Sequence, residues 1–217
     1  MEILEIMKER HSVRQYLDKE IEPEKQSELN ELVSKINSEN NLHIQIFYNE
    51  PKCFSASIAH YGSFKGVNNY IALVGKKSPK LDETLGFYGE MLVLKAQELG
   101  LNTCWVALNH GKSEAVINKG EKLVCIISLG YGSNKGVPHK SKSVNDVSNY
   151  KSGMPDWFLN GAEAALLAPT AVNQQRFYFE YRSDGSVKAS CSLGIYTKLD
   201  LGIAKYHFEA VSGKTSE

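Results

Sequence analysis

A helical segment whose apolar residues surround the whole axis lies near the middle of the chain, from Thr84 to Leu99. The residues that carry this pattern are Leu85, Tyr88, Met91, Leu92, Val93, Leu94, Ala96 and Leu99. A helix on the surface of a protein carries such residues on one stripe only, so this pattern predicts a central helix that is largely buried. Gly100 follows it as a candidate C-terminal cap. The other elements therefore have to pack around this helix.

Further helices and several strands are predicted on both sides of the central segment. Helical spacing is found in residues 1–10, in a segment that opens at Glu22-Pro23 and ends at 37–41, in residues 156–167 and in residues 198–211. Strands are predicted at 42–48, 70–74, 123–129, 176–182 and 187–191, the last two joined by an Asp-Gly turn. This mixture predicts an α+β fold with a mainly antiparallel sheet sandwiched by helices.

Composition and charge limit the partners of the chain. Lys plus Arg and Asp plus Glu both number 25, so no excess of positive charge is present and a nucleic-acid partner is not expected. The most apolar windows are far shorter than the roughly 20 residues of a membrane span, and the N-terminus does not resemble a secretory signal. The cysteines at 53, 104, 125 and 191 do not have the spacing of metal ligands. We expect a cytoplasmic protein without a structural metal or a membrane partner.

Two arginines and a serine follow the first predicted helix in the sequence RHSVR, residues 10–14. The guanidinium groups of Arg10 and Arg14 offer several donors to a phosphate or a polarised carbonyl, and Ser12 adds a hydroxyl. The alternative is a solvated basic patch at a helix C-terminus, where positive charge complements the helix dipole. These residues alone leave both interpretations open.

Two later segments carry further polar groups. HKSK at 139–142 follows a strand and a glycine-rich loop, and is interpreted either as a pair of phosphate-binding lysines or as an exposed basic turn. The preceding glycines lack the GxGxxG spacing, which argues against a Rossmann site. APTAVNQQ at 168–175 offers donors and acceptors to the edge of a heterocycle, or forms a cap and turn. No pattern of a catalytic nucleophile, acid or base is present, which favours a cofactor as carrier of the reaction.

Taken together, these segments resemble the FMN-dependent nitroreductase family. RHSVRQY after a first helix is similar to the family's N-terminal motif for the flavin phosphate, and LGLNTCWVAL at 99–108 resembles the strand whose backbone faces the flavin N5. Ala107 and Leu108 at the end of this segment are the implied main-chain contacts of N5, although the family's usual glycine is missing there. Lys140-Ser-Lys142 resembles the family's later Lys-x-Arg, which grips the FMN phosphate. The resemblance implies that FMN is bound by Arg10, His11, Ser12, Arg14, Ala107, Leu108, Lys140 and Lys142.

One motif stands at an unusual place. The family's Ala-Pro-Ser-x-x-Asn-x-Gln normally follows the second helix and reaches the flavin from the opposite subunit, whereas the similar APTAVNQQ comes here in the C-terminal part. We therefore expect a single domain over residues 1–217 that is a pseudo-dimer, with halves of approximately 1–150 and 151–217. A monomeric pseudo-dimer is expected rather than an obligate homodimer. The residues implied to contact the flavin ring are Pro169, Thr170, Ala171 and Asn173.

The resemblance also implies an activity. NADH or NADPH would reduce the bound FMN and leave, and a small-molecule electron acceptor such as a nitroaromatic or a quinone would then be reduced in a ping-pong reaction. An FMN-binding carrier or sensor protein without turnover is the alternative, because the bulky Trp105 and Leu108 stand near the expected N5 position. A third interpretation is a structural module with incidental basic patches. It requires that three independent family-like motifs arose by chance. The sequence does not name the physiological acceptor.

Overall fold

The computed structural model describes residues 2–55 and 63–217. Its elements in chain order are α1 (Ile3–Glu9), α2 (Pro23–Asn40), β1 (Gln45–Phe47), α3 (Lys52–Ser55), β2 (Asn69–Lys76), α4 (Leu81–Glu98), β3 (Asn102–Val106), β4 (Glu121–Gly130), α5 (Val144–Val147), α6 (Asp156–Ala165), a 3-10 turn (Ala171–Asn173), β5 (Phe177–Tyr181), β6 (Val187–Cys191) and α7 (Thr197–Ser212). The neighbouring strands of both sheets pair antiparallel, which confirms the predicted α+β class.

The chain divides into two compact units. The first, which we call the sheet unit, comprises Arg10–Leu81 and Leu92–Pro138. It contains the four-stranded sheet in the order β1-β2-β4-β3. The first seven residues of β2 and the last six of β4 are buried, as the continuous apolar runs of their sequences predict.

The second, which we call the hairpin unit, comprises Met1–Glu9, Asp82–Met91 and His139–Glu217. The hairpin β5-β6 pairs Phe177 with Cys191 and Tyr181 with Val187. Its core is aromatic, because the rings of Phe179 and Phe208 stack with centroids 4.5 Å apart. Phe158 from α6 lies against the ring of Phe208 as well. The stacking fixes α7 on the hairpin and on α6.

The predicted elements are present, with differences at their ends. The strand expected at 42–48 is reduced to β1, because the backbone N–H and carbonyl of Ile44 bond to the side chain of Asn37 instead of to a strand. The short helices α3 and α5 were not predicted, since four residues are too few to show a helical period. Among the described residues, no helix combines the length and apolar character that crossing a bilayer requires.

Candidate functional site

The RHSVR segment is extended and not helical, since α1 ends at Glu9. Val13 N donates to the carbonyl of Thr103 in β3 over 3.0 Å, and Tyr16 N donates to the carbonyl of Lys65 over 2.9 Å. Leu17 N donates to the carbonyl of Tyr131 over 2.8 Å. These bonds lie within the sheet unit and hold the segment in place like an additional strand.

Extended backbone places alternate side chains on the same side. Arg10, Ser12 and Arg14 alternate with His11 and Val13 along this segment, and Val13 is 1% exposed in a core cluster that also contains Cys104. The two arginines and the serine act on the thiol of Cys104. Burial raises the pKa of this thiol, whereas Arg14, a hydrogen bond with Ser12, and Arg10 lower it. Arg10, Ser12 and Arg14 therefore all influence one thiol of β3, and Ser12 forms a β-bridge with Thr103 of the same strand.

The two arginines differ in exposure. Arg10 is 4% exposed and Arg14 is exposed, so the interpretation as a fully solvated basic patch does not hold for Arg10. A buried guanidinium costs desolvation energy and is kept where its charge interacts with other groups. Arg14 is the guanidinium that an external anion can reach.

A buried polar network lies beneath this segment. The hydroxyl of Tyr16 donates to the carbonyl of Val13 over 2.8 Å and lies 2.8 Å from Ser128 Oγ. Ser128 Oγ lies 3.3 Å from the carbonyl of Cys104, to which it donates. Burial raises the pKa of Tyr16 well above its ordinary value. Tyr16 ends the motif RHSVRQY, but the sequence alone predicts no role for it, because that role depends on burial and on the distant Ser128.

His11 has a different role from its neighbours. Its Nδ1 lies 3.2 Å from the carbonyl of Lys135, and a carbonyl only accepts, so Nδ1 is the donor. Gly136 packs directly on this histidine: its φ is +68°, and an added Cβ would lie 2.7 Å from the Cβ of His11. The glycine-rich loop thus allows close packing on the RHSVR segment. The expected flavin contact of His11 stays a prediction.

Ala107 and Leu108 follow β3 directly, three and four residues after Cys104. The side chain of Leu108 is 66% exposed. Both residues belong to the sheet unit, as RHSVR does.

The other predicted site residues lie in the hairpin unit, where the structure brings the HKSK and APTAVNQQ segments together. Asn173 Nδ2 donates to the carbonyl of Lys140 over 2.9 Å. The ammonium of Lys142 donates to the carbonyls of Gln174 and Gln175, over 3.0 and 2.8 Å. An ammonium has three donors, so these bonds leave one for an anion.

The APTAVNQQ segment has a strained backbone. Val172, Asn173 and Gln175 are left-handed, with φ of 46°, 55° and 44°. Such a conformation costs on the order of 1–3 kcal/mol for each non-glycine residue, and it is least favourable for a β-branched one such as Val172. The side chain of Val172 is 85% exposed, so packing of this side chain does not compensate the cost. The bonds from neighbouring segments have to hold the backbone in this shape.

Asp200 in α7 is one of the groups that hold the backbone of the APTAVNQQ segment. Nothing in the sequence indicates Asp200 as a site residue. Its Oδ1 accepts from Ala171 N over 3.0 Å, and its Oδ2 accepts from Gln174 Nε2 over 2.8 Å. Burial raises its pKa to about 6, although both bonds act to lower it. An acidic residue in the first turn of a helix is common, so no signal distinguished this one.

Comparison with known proteins identifies the family. The family model described as "Putative TM nitroreductase" matches residues 2–212. The chain belongs to the nitroreductase family. Membership in this family supports its assignment as an oxidoreductase enzyme. No curated protein matches the chain.

Solved structures of nitroreductases share the fold. A putative nitroreductase from Thermotoga maritima MSB8 is 24% identical with a TM-score of 0.72, over 97% of this chain and 83% of that one. A nitroreductase family protein from Streptococcus pneumoniae TIGR4 is 16% identical with a TM-score of 0.56, over 69% of this chain and 100% of that one. A putative NADH dehydrogenase/NAD(P)H nitroreductase from Bacteroides thetaiotaomicron VPI-5482 is 19% identical with a TM-score of 0.52, over 67% of this chain and 95% of that one. The nitroreductase-like fold expected from the sequence is thereby confirmed.

Proposed function

We propose that this nitroreductase-family chain binds FMN and uses it to transfer electrons from NADH or NADPH to a small-molecule acceptor such as a nitroaromatic or a quinone. The observation that carries the proposal is the RHSVR segment, which is bonded to β3 through Val13 N and the carbonyl of Thr103, and whose Arg10, Ser12 and Arg14 all influence the thiol of Cys104. A phosphate monoester needs positive charge and several donors in fixed positions, and this set of groups fits that need.

The residues of the sheet unit would have different roles in binding FMN. Arg14 is exposed and would donate to the phosphate oxygens, while Ser12 would add a hydroxyl donor. Arg10 is buried and would add fixed positive charge without a change of position. Ala107 and Leu108, at the end of β3, would present main-chain groups to the ring. FMN, when bound, supplies the exchange of hydride and electrons for which the chain has no side chains of its own.

The remaining features of the proposal rest on the resemblance. Six residues of the hairpin unit stay predicted flavin contacts: Lys140, Lys142, Pro169, Thr170, Ala171 and Asn173. The single-domain pseudo-dimer with halves near 1–150 and 151–217, the monomeric state and the cytoplasmic location likewise stay predictions. A nicotinamide donor agrees with the printed name of the Bacteroides thetaiotaomicron structure.

Replacing Arg14 with Ala is expected to weaken FMN binding by roughly tenfold to a hundredfold, because a hydrogen bond to a charged group contributes about 1.5–3 kcal/mol. The measurement is equilibrium titration of FMN, followed by quenching of flavin fluorescence. Arg182→Ala is the matched control, since Arg182 is a partly exposed arginine of the hairpin unit whose nearest acid, Glu217, is 3.5 Å away. It should leave affinity unchanged. Equal affinity of Arg14→Ala and the original chain would remove Arg14 from the site.

A second measurement separates the enzyme from the carrier. Purified protein should be yellow and release FMN on denaturation, and anaerobic mixing with NADH or NADPH should bleach the flavin absorbance within the time of a turnover. Bound FMN that neither nucleotide bleaches would support the carrier or sensor and contradict the enzyme. A colourless protein that also fails to bind added FMN would contradict both.

A further inference from the structure

The segment 170–175 of the hairpin unit is held on two sides. On one side, Asn173 and Gln175 donate to the carbonyl of Lys140, over 2.9 and 2.8 Å. On the other side, Asp200 accepts hydrogen bonds from Ala171 and Gln174. Because three residues of the segment are left-handed, its shape depends on these bonds rather than on the local preferences of the backbone.

Asp200 holds two points of the segment with one carboxylate. Its Oδ1 accepts from the main chain at Ala171, and its Oδ2 accepts from the side chain of Gln174, whose amide also donates to the carbonyl of Ile195 over 2.6 Å. The carboxylate thus fixes the start of the 3-10 turn, the residue after it and, through Gln174, the turn before α7. Asp200 is only 3% exposed, so water does not compete for these bonds.

We propose that Asp200 is the positioning residue of the segment 170–175 and that proton uptake by its carboxylate controls how readily this segment opens. The conformational claim is independent of the proposed function. Its consequence for flavin binding rests on that function, because the segment contains the predicted ring contacts Thr170, Ala171 and Asn173.

In the described part of the chain, no charged group of the surrounding elements forms an ion pair with Asp200. On α7, Lys205 pairs with Glu83 of α4 over 2.9 Å, and Lys198 is exposed. On α1, Lys8 pairs with Glu5. The ammonium of Lys142 and the guanidinium of Arg176 donate to backbone carbonyls. In the part of the chain that the structure describes, burial and the two donors alone account for the shift of the Asp200 pKa.

The direction of the pH dependence follows from this shift. In the closed segment the pKa of Asp200 is about 6, against an ordinary value of 3.8 that an opened and solvated carboxylate would regain. The closed form therefore binds the proton more tightly, so closure is favoured at low pH and weakens as the pH rises through about 6. With these two values, the population of the open segment should rise about tenfold between pH 5 and pH 7.

Hydrogen exchange of the Ala171 amide tests the proposal without added FMN. After correction for the intrinsic pH dependence of exchange, protection in the original chain should fall about tenfold from pH 5 to pH 7. In Asp200→Asn the side chain is neutral at every pH, so the roughly tenfold fall of Ala171 protection between pH 5 and pH 7 should be absent. Asp200→Ala should lower protection by at least about tenfold at pH 5, since the acceptor is lost. Asp184→Asn is the matched control, because Asp184 also accepts two bonds, from Ser186 N and Oγ, but is exposed.

Each outcome decides the proposal. An unchanged Ala171 protection in Asp200→Ala, or a pH step that persists in Asp200→Asn, would overturn it. Should Asp200→Ala fail to fold, Asp200→Asn still tests the pH dependence. Gln174→Ala removes the bond to Asp200 Oδ2 and should also lower Ala171 protection; unchanged protection would overturn the claim that the carboxylate holds the segment at both points. FMN titration of these variants is a separate readout: if no variant and not even the original chain binds FMN, the proposed function fails while the exchange result stands.

Discussion

Gly202→Ala is expected to lower the free energy of unfolding by about 3 kcal/mol, although alanine normally favours a helix by about 1 kcal/mol over glycine. Gly202 lies in α7 where this helix meets α4. A Cβ at this position would overlap the carbonyl oxygen of Glu83 and would lie 2.8 Å from both Glu83 C and Phe87 N. These are backbone atoms, so a change of rotamer cannot relieve the overlap, and the helices would have to separate.

The measurement is chemical denaturation followed by far-UV circular dichroism. Gly86→Ala, the reciprocal change on α4, should be destabilising for the same reason, because its Cβ would overlap the carbonyl oxygen of Leu199. Lys198→Ala is the control, since Lys198 is exposed on the same helix and its replacement should change stability by less than about 0.5 kcal/mol. A Gly202→Ala variant as stable as the original chain would show that the two helices do not touch at this point.

His207→Phe is expected to destabilise the chain by about 3–5 kcal/mol, because it removes one partner of a fully buried polar pair. His207 and Glu90 are both 0% exposed, and His207 Nε2 lies 2.9 Å from Glu90 Oε1. His207 Nδ1 lies 3.0 Å from the carbonyl of Ala164, which only accepts, so Nδ1 carries a proton. The imidazole thus joins α4, α6 and α7.

A double variant separates loss of the pair from loss of packing. Glu90→Leu combined with His207→Phe removes both polar groups, so it should be more stable than His207→Phe alone. The control is His43→Ala, in which the same kind of pair, His43 with Glu121 at 2.9 Å, is broken where the histidine is 30% exposed. It should cost no more than about 1 kcal/mol. Denaturation midpoints measure all four chains. A double variant less stable than His207→Phe would mean that the loss of the His207–Glu90 pair is not the cause.

The elements with the strongest local patterns agree closely with their sequence. The apolar residues of 84–99 predicted the buried helix α4, and the run at 123–129 predicted β4. The Asp-Gly turn predicted the hairpin β5-β6. In each case the type of element is determined by residues that are close in sequence. A helical period is visible within one or two turns, and a strand period within a few alternating positions.

The candidate site was only partly predictable. RHSVR could be recognised as an anion-binding candidate, but its extended backbone depends on the carbonyls of Thr103 and Lys65, which are distant in the sequence. Tyr16 and Asp200 carry no local signal, because their roles come from burial and from partners on other segments.

The sequence by itself determined the order and type of the main elements, the family motifs and the absence of an excess charge. The tertiary structure alone decided that Arg10, Ser12 and Arg14 influence the thiol of Cys104 and that Asp200 holds a left-handed segment. Hydrophobic periodicity is a property of residues close in sequence and can therefore be recognised within a single segment. Burial, pKa and the bonds that hold a strained backbone arise only when distant segments pack together.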